Sequence, residues 1–206
     1  LDLKSLRDDI SDGQVGVPVI FAFQVLDKNC KPMPGLVVHI WHTNHNGQYS
    51  ADQSKGTPGS GWAPKTCSGE TPLTNTTQFT PAQVKEAYAS TWHRGAFSTD
   101  MDGVAYFKSC FPGWYGGRTN HVHFRFVKDN KELLVTQLGF DDAVCDEIHV
   151  KHPEYIGIKQ DRTMLTISGR QQDTTFSGNP KTQWIMDTFR NSDGSLLITK
   201  SIILKV

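Results

Sequence analysis

The sequence predicts an all-β fold, a β-sandwich of mainly antiparallel strands with one short helix and one long pocket-forming loop. Three observations carry that expectation: period-two apolar alternation dominates, turn residues punctuate it, and a helix-start signal stands out once. Segments 17–25, 36–41, 104–108, 121–127, 133–140 and 196–206 are the strand candidates. Lys28-Asn29 and residues 32–35 separate the first pair, Asp102-Gly103 and Pro112-Gly113 the next, and Asp193-Gly194 precedes the last. Thr80-Pro81-Ala82-Gln83 supplies an N-cap threonine, a proline at the first helical position and a capping-box glutamine, so a short helix should run to about Ala89. Residues 50–79 are rich in Gly, Pro, Ser and Thr, and so long a loop is usually functional, here as the wall of a pocket.

At 206 residues the chain fits one domain spanning 1–206. Its 37% hydrophobic and 20% charged residues are ordinary for a globular protein. Twenty-one basic residues balance 21 acidic ones, so no net field draws the chain to nucleic acid or an anionic membrane. No apolar run approaches the roughly 20 residues needed to cross a bilayer.

Cys30, Cys67, Cys110 and Cys145 are far apart and form no Cys-x-x-Cys pair, which disfavours a thiolate zinc site or thioredoxin chemistry. Two disulfides are expected, with four buried free thiols as the other reading. Asn75-Thr76-Thr77 is an N-glycosylation sequon, and the chain starts at Leu1 rather than Met. Together these point to a secreted protein.

In His121-Val122-His123-Phe124-Arg125-Phe126-Val127, strand alternation puts His121, His123 and Arg125 on one face and the apolar residues on the other. Histidines at i and i+2 on a strand can share a first-row metal, although the pattern also occurs on solvated strands. The glycine-loosened segment before them, 112–120, carries Tyr115 and Arg118 toward those histidines. A turn at 44–50 delivers Tyr49 in a similar way. The plainer reading of both tyrosines is that they fill the edge of the core with their hydroxyls wet.

Three blocks in order, WHTNHNGQYS, RGAFSTDMDGVAYF and PGWYGGRTNHVHF, resemble the signature blocks of intradiol ring-cleavage dioxygenases, and LVTQLGF extends the resemblance. They cover about the central half of the chain. The nearest subgroup is the secreted intradiol dioxygenase-like proteins of fungi and of plant-feeding mites. The resemblance implies Tyr49, Tyr115, His121 and His123 as ligands of Fe(III), with Arg118 and Gln137 beside the substrate and Tyr115 also taking part in catalysis. It implies a catechol-type substrate and O2, both oxygen atoms entering a muconic acid product. Only about 16 residues precede the first strand candidate, which leaves no room for the helical dimerisation segment of the bacterial enzymes, so a monomer is expected. The interval from Tyr115 to His121 is shorter than in those enzymes, and which catechol is the substrate stays open.

Two phenolates and two neutral imidazoles suit ferric iron, a hard ion that rewards anionic oxygen and deprotonates groups bound to it. Structural zinc prefers Cys and His, and a ferrous two-histidine site would need a carboxylate for which no suitably placed Asp or Glu follows His-x-His. A binding module for phenols or sugars, without turnover, is the alternative from another class. His39, His42, His45, His93, His149 and His152 match no ligand position and are expected to be core or solvated histidines.

Overall fold

The structure is a computed structural model that describes residues 6–50, 82, 85–86, 89–176 and 181–205. Its main elements are β1 (Pro18–Leu26), β2 (Val37–Trp41), β3 (Arg94–Ser98), β4 (Val104–Cys110), β5 (His121–Lys128), β6 (Lys131–Gly139), helix α1 (Asp142–Lys151), β7 (Arg162–Thr163), β8 (Gln171–Gln172), β9 (Asp187–Arg190) and β10 (Leu196–Ile203). A 3-10 turn, Lys181–Trp184, precedes β9. No helix among the described residues is long and apolar enough to cross a membrane.

Two four-stranded sheets, ordered β4-β1-β10-β9 and β3-β2-β5-β6, form the sandwich, and β7 and β8 make a small parallel pair. Pairing in the main sheets is antiparallel except between β1 and β10, which run parallel with Val19 opposite Leu196 and Leu26 opposite Ile203. The expected alternation sets this register. Val19, Phe21, Phe23 and Val25 of β1 are buried, as are Val38 and Ile40 of β2, Phe107 of β4, and Val122, Phe124 and Phe126 of β5. Phe23 meets Phe124 across the sheets edge to face, with ring centroids 4.5 Å apart. Burial of this order, at about 25 cal/mol per Å² of apolar surface, is the main force holding the sheets together.

Because β5 spends its Val and Phe residues on the core, His121, His123 and Arg125 fall on the other face. Pairing with β2 and β6 then sets Trp41 and Gln137 on either side of His123. Asp141 caps α1, its carboxylate accepting from the N–H groups of Ala143 and Val144. The helix buries Cys145, Ile148 and His149.

The expected disulfides are not found among the described residues: Cys30, Cys110 and Cys145 are free, Cys30 exposed and the other two buried, while Cys67 lies outside them. Strand alternation turns Cys110 away from the inward Phe107 and Ser109, and Cys145 lies on the buried face of α1, so among the described residues neither meets another cysteine. The loop over 50–79 and the Asn75 sequon also lie outside the described residues, save Ser50. Of the expected short helix, Ala82, Lys85, Glu86 and Ala89 are within them and are helical.

Candidate metal centre

Two loops bring the tyrosines in. In the first, the Asn44 side chain accepts from the N–H groups of Asn46 and Gln48, and its carbonyl accepts from Gly47 N–H, closing a turn that ends at Tyr49. Gly113 N–H also donates to the Asn44 carbonyl at 2.8 Å, which docks the second loop on the first. Gly47 has φ +77°, and a Cβ there would overlap the Trp114 carbonyl; a Cβ on Gly113 would overlap the His45 carbonyl. Glycine at both positions is therefore what lets the backbones carrying Tyr49 and Tyr115 lie against each other.

Tyr49 Oη lies 3.0 Å from His123 Nε2 and 3.3 Å from His121 Nε2, and Tyr115 Oη lies 3.2 Å from His121 Nε2. Four donor atoms thus meet in one small space. The His121 Nδ1–H donates to the Thr119 carbonyl at 2.7 Å, which fixes the ring and leaves the lone pair on Nε2, the atom that faces both phenols. Trp41 stacks on His123 with centroids 4.9 Å apart, and Arg94 sits 5.9 Å from the Tyr49 ring while donating to the Ser50 carbonyl.

Burial, helped by the neighbouring Arg118 charge, pushes His121 well below its ordinary range and His123 down to about 4, so both imidazoles are neutral at pH 7. Burial also raises both phenols, Tyr49 well above its usual value. Without a cation the phenols keep their protons. A cation of high charge would supply the field that removes them, and two phenolates would in turn offset that charge. Among the described residues no group of three His, Cys, Asp or Glu side chains is placed to hold a metal, so the two-imidazole, two-phenol set is not a carboxylate or thiolate site. It fits a hard ferric ion.

Arg118 and Gln137 stand at the rim of the cluster, where Arg118 Nη2 donates to Gln137 Oε1 at 2.5 Å. A cavity of about 240 Å³ opens here, lined by His123 and Gln137 with Phe176 and Trp184 as aromatic walls. Most of the hydrogen bonds that hold the segment entering His121 come from the C-terminal side. Asp161 accepts from Gly117 N–H, Asp173 from Arg118 and Thr119 N–H, and Gln160 from Asn120 N–H. Gln160 is itself held by Asp142, at the start of α1.

All six residues singled out for the site, Tyr49, Tyr115, Arg118, His121, His123 and Gln137, are thus brought together. The other histidines are not. His42 and His93 share Ser109 Oγ in the interior, His149 donates to the Pro112 carbonyl, and burial pushes His42 and His149 down to about 4. The sequence reading missed Asp161, Asp173 and Gln160, which no local pattern marks.

A family model described as a dioxygenase matches residues 2–170, most of the chain. The chain belongs to the intradiol ring-cleavage dioxygenases. Similar solved structures include an intradiol ring-cleavage dioxygenase from Tetranychus urticae, with 22% identity and a TM-score of 0.72, covering 100% of this chain and 89% of that one. The dioxygenase domain of a carbohydrate-binding fusion protein from Streptomyces sp. SirexAA-E has 19% identity and a TM-score of 0.59, covering 98% and 88%. A 3-chlorocatechol 1,2-dioxygenase from Rhodococcus opacus 1CP has 15% identity and a TM-score of 0.56, covering 98% and 66%. At these identities the likeness is one of fold. No curated protein sequence matches significantly. The intradiol dioxygenase fold thus sets the donor cluster on the outward face of β5, beside the cavity.

Proposed function

We propose that the protein is a ferric, non-haem intradiol dioxygenase that cleaves a catechol-type ring between its two hydroxyl-bearing carbons. The observation that carries this reading is the meeting of Tyr49, Tyr115, His121 and His123 beside the Arg118–Gln137 pair. Those four residues would hold a ferric ion, which when bound would supply Lewis acidity toward the two diol oxygens and so activate the ring toward O2. Each carbon of the broken bond gains one oxygen atom, so both atoms of O2 enter a muconic acid.

The protein's own groups do the rest. Tyr115 is assigned a second task, accepting a diol proton at Oη as the substrate enters. His121 keeps Nε2 toward the centre because the Thr119 carbonyl holds Nδ1–H. The Arg118 guanidinium stabilises negative charge developing on the ring and its oxygens, while Gln137 holds it through Oε1. Phe176 and Trp184 present apolar surface that suits an aromatic ring and excludes water. Secretion belongs to the same proposal and rests on the Asn75 sequon; a fall in mass on glycosidase treatment of native material tests it.

Purified protein loaded with iron should bind about one ion per chain, show a visible tyrosinate-to-iron absorption, and consume O2 with catechol as a muconic acid appears. Catechol binding without O2 uptake would instead identify a binding module. Stoichiometric zinc with no visible band after iron loading would overturn the metal assignment.

A further inference from the structure

Asp173 lies beyond the residues matched by the family model, and it is not among the residues lining the cavity. Three bonds nevertheless converge on its carboxylate. Oδ2 accepts from Arg118 Nε–H at 2.8 Å and from Thr119 N–H at 3.0 Å, and Oδ1 accepts from Thr175 N–H at 2.8 Å. The side chain is 1% exposed, against 18% for Arg118. Burial pushes this carboxyl upward, but the bonds from Thr175 and Arg118 outweigh it and hold the group below the usual carboxylate range.

Arg118 is consequently fixed at two of its three nitrogens, Nε by Asp173 and Nη2 by Gln137. The same oxygen that holds Nε also holds the amide of Thr119, whose carbonyl orients the His121 ring. We propose that Asp173 is a positioning residue that locks Arg118 in register with His121, one carboxylate oxygen tying the guanidinium to the peptide that orients the imidazole. The proposal rests on the reading of Arg118 as the group that stabilises developing charge. A planar guanidinium with two anchored edges is oriented before substrate arrives, so no reorganisation is needed at the moment of reaction.

Two measurements test it on the full chain. In the metal-free protein, the Arg118 Nε–H should give a slowly exchanging NMR resonance, identified by its loss in Arg118→Lys. In the iron-loaded protein, Asp173→Ala should lower kcat by up to about a hundredfold, the scale expected when a reacting group is misplaced by about 1 Å, with KM for catechol little changed. Asp173→Asn, which keeps one acceptor oxygen, should recover part of the loss. Asp173→Ala in an Arg118→Ala background should cost clearly less, because only the hold on Thr119 N–H is then left to lose. Fast solvent exchange of the Nε–H in the unmutated protein would overturn the proposal whether or not the variants fold. So would an unchanged kcat in Asp173→Ala, or an equal loss in both backgrounds. If the unmutated protein cleaves no catechol, the functional reading fails on that result, and the exchange measurement alone decides whether Asp173 holds Arg118.

Discussion

Trp41 stacks on His123 with their ring planes 5° apart, and the two residues are register partners on adjacent strands. A neighbour of this kind fixes the orientation of an imidazole that donates a lone pair. Trp41→Leu should therefore weaken iron binding by roughly 10- to 100-fold, the range seen when groups that orient metal ligands are altered, while circular dichroism stays unchanged. Iron titration followed by the visible band measures it; unaltered affinity would mean the β2–β5 backbone alone positions His123.

Arg118→Ala should leave the resting colour and iron content intact and lower kcat about a hundred- to thousandfold, as when a pre-organised donor is removed. Arg118→Lys keeps the charge without the planar fork and should recover only part of the rate. Steady-state O2 uptake at saturating catechol checks both. A colourless Arg118→Ala protein would instead assign the residue to the metal centre.

Gly47→Ala meets two obstacles, a backbone at φ +77° and the Trp114 carbonyl in the space of the new Cβ. It should cost about 2 kcal/mol or more in urea unfolding and loosen the contact between the tyrosine loops. Gly35→Ala, where φ is +71° but nothing lies within 4 Å, separates the two effects and should cost less.

Acid should destabilise the fold through His42 and His149, buried and neutral with values near 4 against about 6.5 when unfolded. Between those values the unfolded chain binds more protons than the folded one. Stability is thus fully present above about pH 6.5 and falls as pH drops toward 4, by at most about 3 kcal/mol for each histidine. Urea midpoints at several pH values should show that slope, and His149→Phe should flatten it.

In a Cys67→Ser variant, Cys30 should react quickly with a thiol reagent at pH 8 and Cys110 and Cys145 only on unfolding. Burial pushes Cys110 up to about 11 and Cys145 well above its ordinary range, whereas Cys30 is exposed.

The strands that build the core were legible because one face of each is buried, and burial on one face writes a period of two into the sequence. β3 was not, since Gly95 and Ala96 break the apolar pattern and pairing with β2 supplies what propensity lacks. α1 carried readable cues, Asp141 as N-cap and His149 and Lys151 in its last turn, but its apolar residues are too few to draw a stripe. Around the donor cluster the same division holds. His121 and His123 are two apart on one strand, so local geometry declares them. Asp161, Asp173 and Gln160 act on residues about 40 or more positions away, and a contact of that range leaves no trace in nearby spacing.

The parallel pairing of Val19 with Leu196 has a consequence for synthesis. Strands β2, β3, β5 and β6 all lie between residues 37 and 139, so the sheet that bears the histidines can assemble on the ribosome well before the C-terminal strand emerges. The other sheet must wait with the β10-facing edge of β1 open, and closing so long a loop is slow. During that wait the open edge is the nascent chain's point of greatest exposure to aggregation, which makes β10 the element whose late arrival a chaperone would have to cover.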